Sequence, residues 1–241
     1  MSTAITTKPP SSFPSYLIKS SIGKKILMAL SGVVAFGYAV GHMLGNLQIY
    51  LGQDAINEYA EFLHSLGALL WIIRAFLLAS IVVHIWLGIQ LKLENSAARP
   101  VTYRNEKTSK ATLASRTMIW TGLIMLAFLV YHILHFTART ADPGLATLMD
   151  SQGRFDVYSM VIIGFQNYLL AGFYIVAVGL LCYHLSHGIA SMFQSLGVNN
   201  PKWQARLEVC STIFSLFLFL GYAAVPVGVM LKWVTLPGGG M

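Results

Sequence analysis

Charge is what this chain has least of. Only 10% of its 241 residues are Asp, Glu, Lys or Arg, against about 25% in an ordinary soluble domain. With 56% hydrophobic residues and a mean hydropathy of +0.64, too few polar side chains remain to clothe a water-facing surface. A soluble enzyme is excluded on that ground. Cysteine is also scarce. Cys182 and Cys210 are the two present, which rules out a four-thiolate iron–sulfur centre and a disulfide framework. No dinucleotide fingerprint and no long repeat is visible, and no loop is large enough to form a domain outside a membrane. The opening segment MSTAITTKPPSSFPSYLIKS is polar, with neither the apolar core nor the cleavage pattern of a secretory signal.

What the chain does have is long apolar runs. About 20 mainly apolar residues cross a bilayer core as a helix, and five stretches qualify: roughly 24–50, 66–92, 112–137, 166–192 and 206–232. The runs are continuous rather than alternating, which argues against a β-barrel. The expected fold is therefore all-α, a transmembrane bundle of five helices. It divides into a polar segment over 1–22, the five-span domain over 23–233 and a short tail over 234–241. A short amphipathic piece, Val157–Gln166, is expected at the membrane surface before the fourth span.

The distribution of lysine and arginine sets an orientation. Twelve fall on one side: Lys8, Lys19, Lys24 and Lys25, then Lys92, Arg99, Arg104, Lys107, Lys110 and Arg116, then Lys202 and Arg206. Three fall on the other, Arg139, Arg154 and Lys232, among most of the acidic residues. The N-terminus is expected in the cytoplasm and the C-terminus outside. The net charge of +7 is thus a topology signal, not a nucleic-acid surface.

Seven histidines remain, and six lie inside the spans: His42, His84, His132, His135, His184 and His187. Ionisable side chains in lipid are costly and mark function by default. The bland alternative is that each hydrogen-bonds a neighbouring helix. Depth sorts them. At 1.5 Å per residue, His42 lies about 6 Å and His132 about 11 Å beyond the middle of outward-running helices, while His84 and His184 lie about 8 Å to the cytoplasmic side of inward-running ones. An outer pair, His42 with His132, and an inner pair, His84 with His184, are what two stacked bis-imidazole haems require. Such iron transfers electrons and leaves no position for oxygen.

Glycine points the same way. Gly37, Gly41 and Gly45 clear a stripe beside His42. His84-x-x-x-Gly88 is matched by His184-x-x-x-Gly188, and this match selects His184 over His187. His132 is selected over His135, which lies nearer the water. Arg74 sits ten residues before His84, about 15 Å closer to the outside. It is a candidate partner for a haem propionate, with snorkelling to the interface as the alternative.

Ser31-Gly32, Gly41-His42-Met43, Val83-His84, Val130-Tyr131-His132, Gly172-Phe173-Tyr174-Ile175-Val176 and Tyr183-His184-Leu185-Ser186 occur in an order and spacing that is familiar. Over roughly residues 22–220 the chain resembles the five-helix, dihaem cytochrome b subunit of succinate:quinone oxidoreductases and quinol:fumarate reductases. The resemblance implies two haem b groups, the outer held by the first and third spans and the inner by the second and fourth. It implies separate flavoprotein and iron–sulfur subunits on the cytoplasmic face of a bacterial cytoplasmic membrane, and a quinone, menaquinone in most dihaem members. It also implies an acidic residue for quinone proton transfer at the outer start of the second helix. Glu61 falls close to that position, with Glu58 one turn away and His64 as a candidate partner; a solvated interfacial face is the alternative. Two other readings stay open at this stage: the cytochrome b of a hydrogenase or formate dehydrogenase, and a cofactor-free transporter using the histidines as a proton relay.

Overall fold

A computed structural model describes residues 12–98, 113–198 and 200–238. The basic residues Lys8, Arg99, Arg104, Lys107 and Lys110 lie outside the described residues. Eight α-helices are present among those described: α1 (Phe13–Lys19), α2 (Ser21–Leu47), α3 (Gln53–Ser65), α4 (Ala68–Ala97), α5 (Leu113–His132), α6 (Val157–Phe165), α7 (Tyr168–Ser195) and α8 (Pro201–Met230). Five of the helical stretches are long and apolar enough to cross a membrane: Ser21–Leu51, Ala68–Ala97, Thr117–Thr137, Tyr168–Ser195 and Pro201–Met230. The polar opening segment thus contains a short helix of its own, α1.

Side-chain caps set the helix starts. The Ser20 hydroxyl accepts the Gly23 N–H at 2.9 Å. Asn167 accepts from Leu169 and Leu170 to open α7, and Asn200 accepts from Lys202 to open α8 with Pro201 in the first turn. Each such cap satisfies N–H groups that the helix itself cannot. The chain leaves α2 through a 3-10 turn, Gln48–Leu51, and re-enters a helix after Gly52. Gly52 (φ 105°) and Gly67 (φ 53°) hold backbone conformations that a side chain would strain. They cut α3 off from the spans on either side.

The sequence placed the start of the second span at residue 66 and Glu61 at its outer end. Instead, Glu61 belongs to α3, a separate helix broken from α4 by Leu66-Gly67. Nor is the 157–166 piece amphipathic in place. Six residues of α6, Ser159, Met160, Val161, Ile162, Gly164 and Phe165, are buried. Four of them, Met160, Val161, Ile162 and Phe165, pack with Ile49, Ile56, Leu145, Ala171, Tyr174 and Val229 in a core at one end of the bundle. A helix apolar on every side is a core helix, not a surface one.

A second core cluster, Met43, Val178, Cys182 and Leu218, joins α2, α7 and α8. Packing here is close. Tyr222 donates its hydroxyl to the Ala39 carbonyl at 2.6 Å, and Tyr50 donates to the Ala224 carbonyl at 2.5 Å. The core is therefore off-centre. In α4 only Leu87 and Leu91 are buried, while Trp71, Ile72, Phe76 and Val82 are exposed, as suits a helix facing acyl chains.

The end carrying α3 and α6 is tied by charge. Arg154 pairs with Asp54 at 2.6 Å and Asp150 at 2.7 Å, with Glu58 at 3.6 Å. Asn57 donates to Asp150 and Asp156, both at 3.1 Å. Burial raises the Asp150 carboxyl, but hydrogen bonds from Arg154, Asn57 and the Gln152 N–H outweigh it and hold the group down at about 2. At the opposite end, buried Lys24 of α2 forms an ion pair with Glu94 of α4.

Candidate functional site

Four spans, α2, α4, α5 and α7, each contribute one histidine to two couples. His42 of α2 and His132 of α5 have ring centroids 5.7 Å apart at 77°. His84 of α4 and His184 of α7 have theirs 6.5 Å apart at 65°. The first couple lies toward the α3–α6 end and is called the far couple; the second, nearer the N-terminus of α2, is the near couple. His84 touches α2 at Met28 and Ser31. From Ser31 to His42 is eleven residues along α2, so the couples sit about 16 Å apart along that helix.

The ring nitrogens of the near couple are anchored. His84 Nδ1 lies 3.1 Å from the Met28 carbonyl oxygen and 3.5 Å from the Ser31 hydroxyl. His184 Nδ1 lies 3.0 Å from Thr121 Oγ1. The far couple differs. Both His42 ring nitrogens lie 3.3 Å from Asn46 Nδ2, whose closest acceptor is the His42 carbonyl at 2.7 Å. His132 Nδ1 is buried with no partner among the described residues.

These residues fit a bis-imidazole haem. Two metal–nitrogen bonds of about 2 Å, with about 1.1 Å more from each nitrogen to its ring centre, place centroids roughly 6 Å apart. Both couples bracket that value. Among the described residues no three His, Cys, Asp or Glu side chains converge on one point. A bare ion would find two ligands at each level, whereas a macrocycle brings its own equatorial four. Room exists as well: a Cβ added at Gly37, Gly41, Gly88 or Gly172 would meet nothing within 4 Å.

His135 has another occupation. It is 2% exposed and its Nδ1 lies 2.9 Å from the Tyr174 hydroxyl, in a π-helical turn, Ile133–Thr137, that follows His132. His187 is half-buried and pairs with no other histidine ring among the described contacts.

Arg74 is exposed on α4, its guanidinium 5.0 Å from the centre of the Trp71 ring. With His64, Phe136, Thr137, Arg139 and Phe155 it lines a pocket of about 250 Å³ at the α3–α6 end. Arg139, which sequence reasoning passed over as a loop charge, stands with its guanidinium 4.3 Å from the Phe155 ring and its Nε buried without a partner among the described residues. Glu61 is exposed and does not line this pocket. Ser31, Thr121 and Tyr174, the hydroxyls that touch histidines, were also unforeseen as ligand partners. The signal available was weak, because a mid-helix hydroxyl ordinarily bonds the carbonyl one turn back.

The chain is 23% identical over 202 residues to the succinate dehydrogenase cytochrome b558 subunit of Bacillus subtilis (strain 168), across 83% of this chain and 91% of that protein. No family model matches, and no solved structure does. The similarity agrees with a cytochrome b membrane anchor, and together with five spans it fits a multi-pass protein of the bacterial cytoplasmic membrane.

Proposed function

We propose that this chain is the dihaem b anchor of a succinate:quinone oxidoreductase, passing electrons between an iron–sulfur subunit and a membrane quinone. The observation that carries the reading is the pairing of four intramembrane histidines into two couples, with ring centroids 5.7 Å and 6.5 Å apart. Haem b held by two histidines would supply one-electron transfer without oxygen chemistry. His84 and His184 would hold the near haem, His42 and His132 the far one. Apolar walls keep water from both.

The positive-inside rule puts the near couple toward the cytoplasm, where the flavoprotein and iron–sulfur subunits dock, and the far couple toward the outside. On this reading the domain over 23–233 is the haem-bearing unit. Arg74, exposed beside Trp71, would supply a guanidinium to neutralise a haem propionate. The quinone, menaquinone by resemblance, exchanges protons as well as electrons, and that needs an ionisable group within reach. His64 lines the pocket beside Arg74. Glu61, three residues earlier on α3, faces water and holds the proton in transit.

The test is spectroscopic. The chain expressed with ample haem supply, and purified with its partners, is expected to show two b-type haems per chain. Co-purification of a flavoprotein and an iron–sulfur protein separates this reading from a hydrogenase or formate dehydrogenase cytochrome. A colourless protein leaves the transporter and overturns the proposal.

A further inference from the structure

The near histidines are gripped by a motif that occurs twice. On α2, Ser31-Gly32 is followed after nine residues by His42. On α5, Thr121-Gly122 is followed after nine residues by His132. In each case the hydroxyl–glycine pair faces the histidine of another span. Ser31 reaches His84 Nδ1 and Thr121 reaches His184 Nδ1. A Cβ added at Gly32 would meet His84 Cε1 at 3.3 Å, and one at Gly122 would meet His184 Cε1 at 3.6 Å. So the glycine lets the imidazole approach while its neighbour offers a hydrogen-bonding oxygen. Eleven residues are three helical turns and about 20°, which keeps both histidine levels on one face of each helix. The chain carries two equivalent hairpins, α2 with α4 and α5 with α7. The likeness is too short to register as a long repeat.

Proton accounting fixes the direction of these bonds. A carbonyl only accepts, so His84 must donate Nδ1–H to Met28. The Ser31 hydroxyl spends its single proton on the same Met28 carbonyl at 3.0 Å, leaving a lone pair toward the ring. The Thr121 hydroxyl lies 3.0 Å from the Met118 carbonyl and 3.3 Å from that of Thr117. The Met118 carbonyl, which only accepts, also hydrogen-bonds the His184 ring; with its own proton on a carbonyl, Thr121 accepts from His184 Nδ1–H. Both near histidines are thereby held as the tautomer whose Nε2 lone pair is free. The far couple shows no such acceptor among the described residues: His132 Nδ1 lacks a partner, and the His42 ring nitrogens face the Asn46 side-chain nitrogen, a donor, at 3.3 Å.

We infer that Thr121 and Ser31 are positioning residues that set the tautomer and electron-donating strength of the near pair of axial histidines, a control absent from the far pair. This rests on the haem reading above. An acceptor on Nδ1–H makes an imidazole a stronger donor to iron and favours the oxidised form. Removing it raises the potential. Each ring also has a backbone acceptor, Met28 for His84 and Met118 for His184; Thr121 contributes more than Ser31 because its oxygen lies 3.0 Å from the ring nitrogen against 3.5 Å.

The test is a redox titration of the intact purified complex, following the two haem bands separately. The near haem is identified as the band missing in His84→Ala. Thr121→Val, which keeps the shape and removes the hydroxyl, is expected to raise the potential of the near haem and leave the far haem unmoved. Ser31→Ala gives a smaller shift in the same direction, and Thr121→Ser restores the parent value. If Thr121→Val sheds the near haem but Thr121→Ser keeps it at the parent potential, the hydroxyl is still required and the inference stands. An unshifted near haem in Thr121→Val, an equal shift at both haems, or failure of Thr121→Ser to rescue overturns it. A parent complex without haem sinks the functional reading instead, and is recognised before any variant is made.

Discussion

His132 and His135 stand on adjoining turns, yet their surroundings assign them different work. His132 leaves a buried nitrogen open and faces His42 across 5.7 Å. His135 has its Nδ1 2.9 Å from the Tyr174 hydroxyl and packs beside Gly164, where an added Cβ would lie 3.4 Å from its ring. Alanine at His42 or His132 is expected to remove one haem, and alanine at His84 or His184 the other, each leaving one haem per chain by pyridine haemochromogen assay. His135→Ala should retain both. Loss of haem in His135→Ala with retention in His132→Ala would reverse the choice within that turn. Depth and glycine spacing made the couples legible in the sequence, because both follow from the fixed rise of a helix. The Thr121 contact was not legible, since nothing in the order of residues shows which helix α7 leans against.

Among the elements, α3 gives the sharpest lesson. Its residues read as the ragged start of a span, because hydropathy falls gradually through Glu58, Glu61 and His64. Backbone conformations at Gly52 and Gly67, invisible to a hydropathy count, make it a helix in its own right. It is then held by Arg154, which pairs with its Asp54, and by its own Asn57, which bonds Asp150 and Asp156. Asp150 is depressed from its ordinary 3.8 to about 2. A carboxyl with a lowered folded-state value adds stability above its unfolded value, and that stability is lost as pH falls through the interval. Hydrogen exchange in α3, corrected for intrinsic rates, is therefore expected to quicken between about pH 4 and pH 2. Asp150→Asn should flatten that dependence, and an unchanged profile would show that the clamp does not govern α3. Between the 3-10 turn after α2 and α8 the constraint is steric. A Cβ at Gly228 would fall 2.2 Å from Tyr50 Oη, so Gly228→Ala should cost about 1–3 kcal/mol through overpacking, read as a lower unfolding temperature in detergent. Tyr50→Phe in the same background, which removes the colliding atom, should recover part of it.

At the scale of the whole molecule, five spans and their approximate limits followed from hydropathy alone, because lipid demands continuous apolar helices. The eccentric core did not follow. Every span is apolar all round, so the sequence carries no stripe to say that α7 and α8 pack tightly while α4 stands outside. Orientation belongs to this scale as well. Twelve basic residues against three predict that a C-terminal tag is labelled by an impermeant reagent on intact cells and an N-terminal tag only after lysis. The reverse pattern would invert the assignment of near and far couples to the two membrane faces.

The equal stride from hydroxyl to histidine on α2 and α5 makes each helix a ruler bearing two marks. Adding a single residue between Phe36 and Gly37 would turn everything beyond it by about 100° and advance it by about 1.5 Å. One imidazole on α2 would then swing away from its mate while the Ser31 mark kept its place. Because the marks are cut into one rigid rod, such a lesion would blind the far level and spare the near one, whereas a shift of the entire rod would disturb both together.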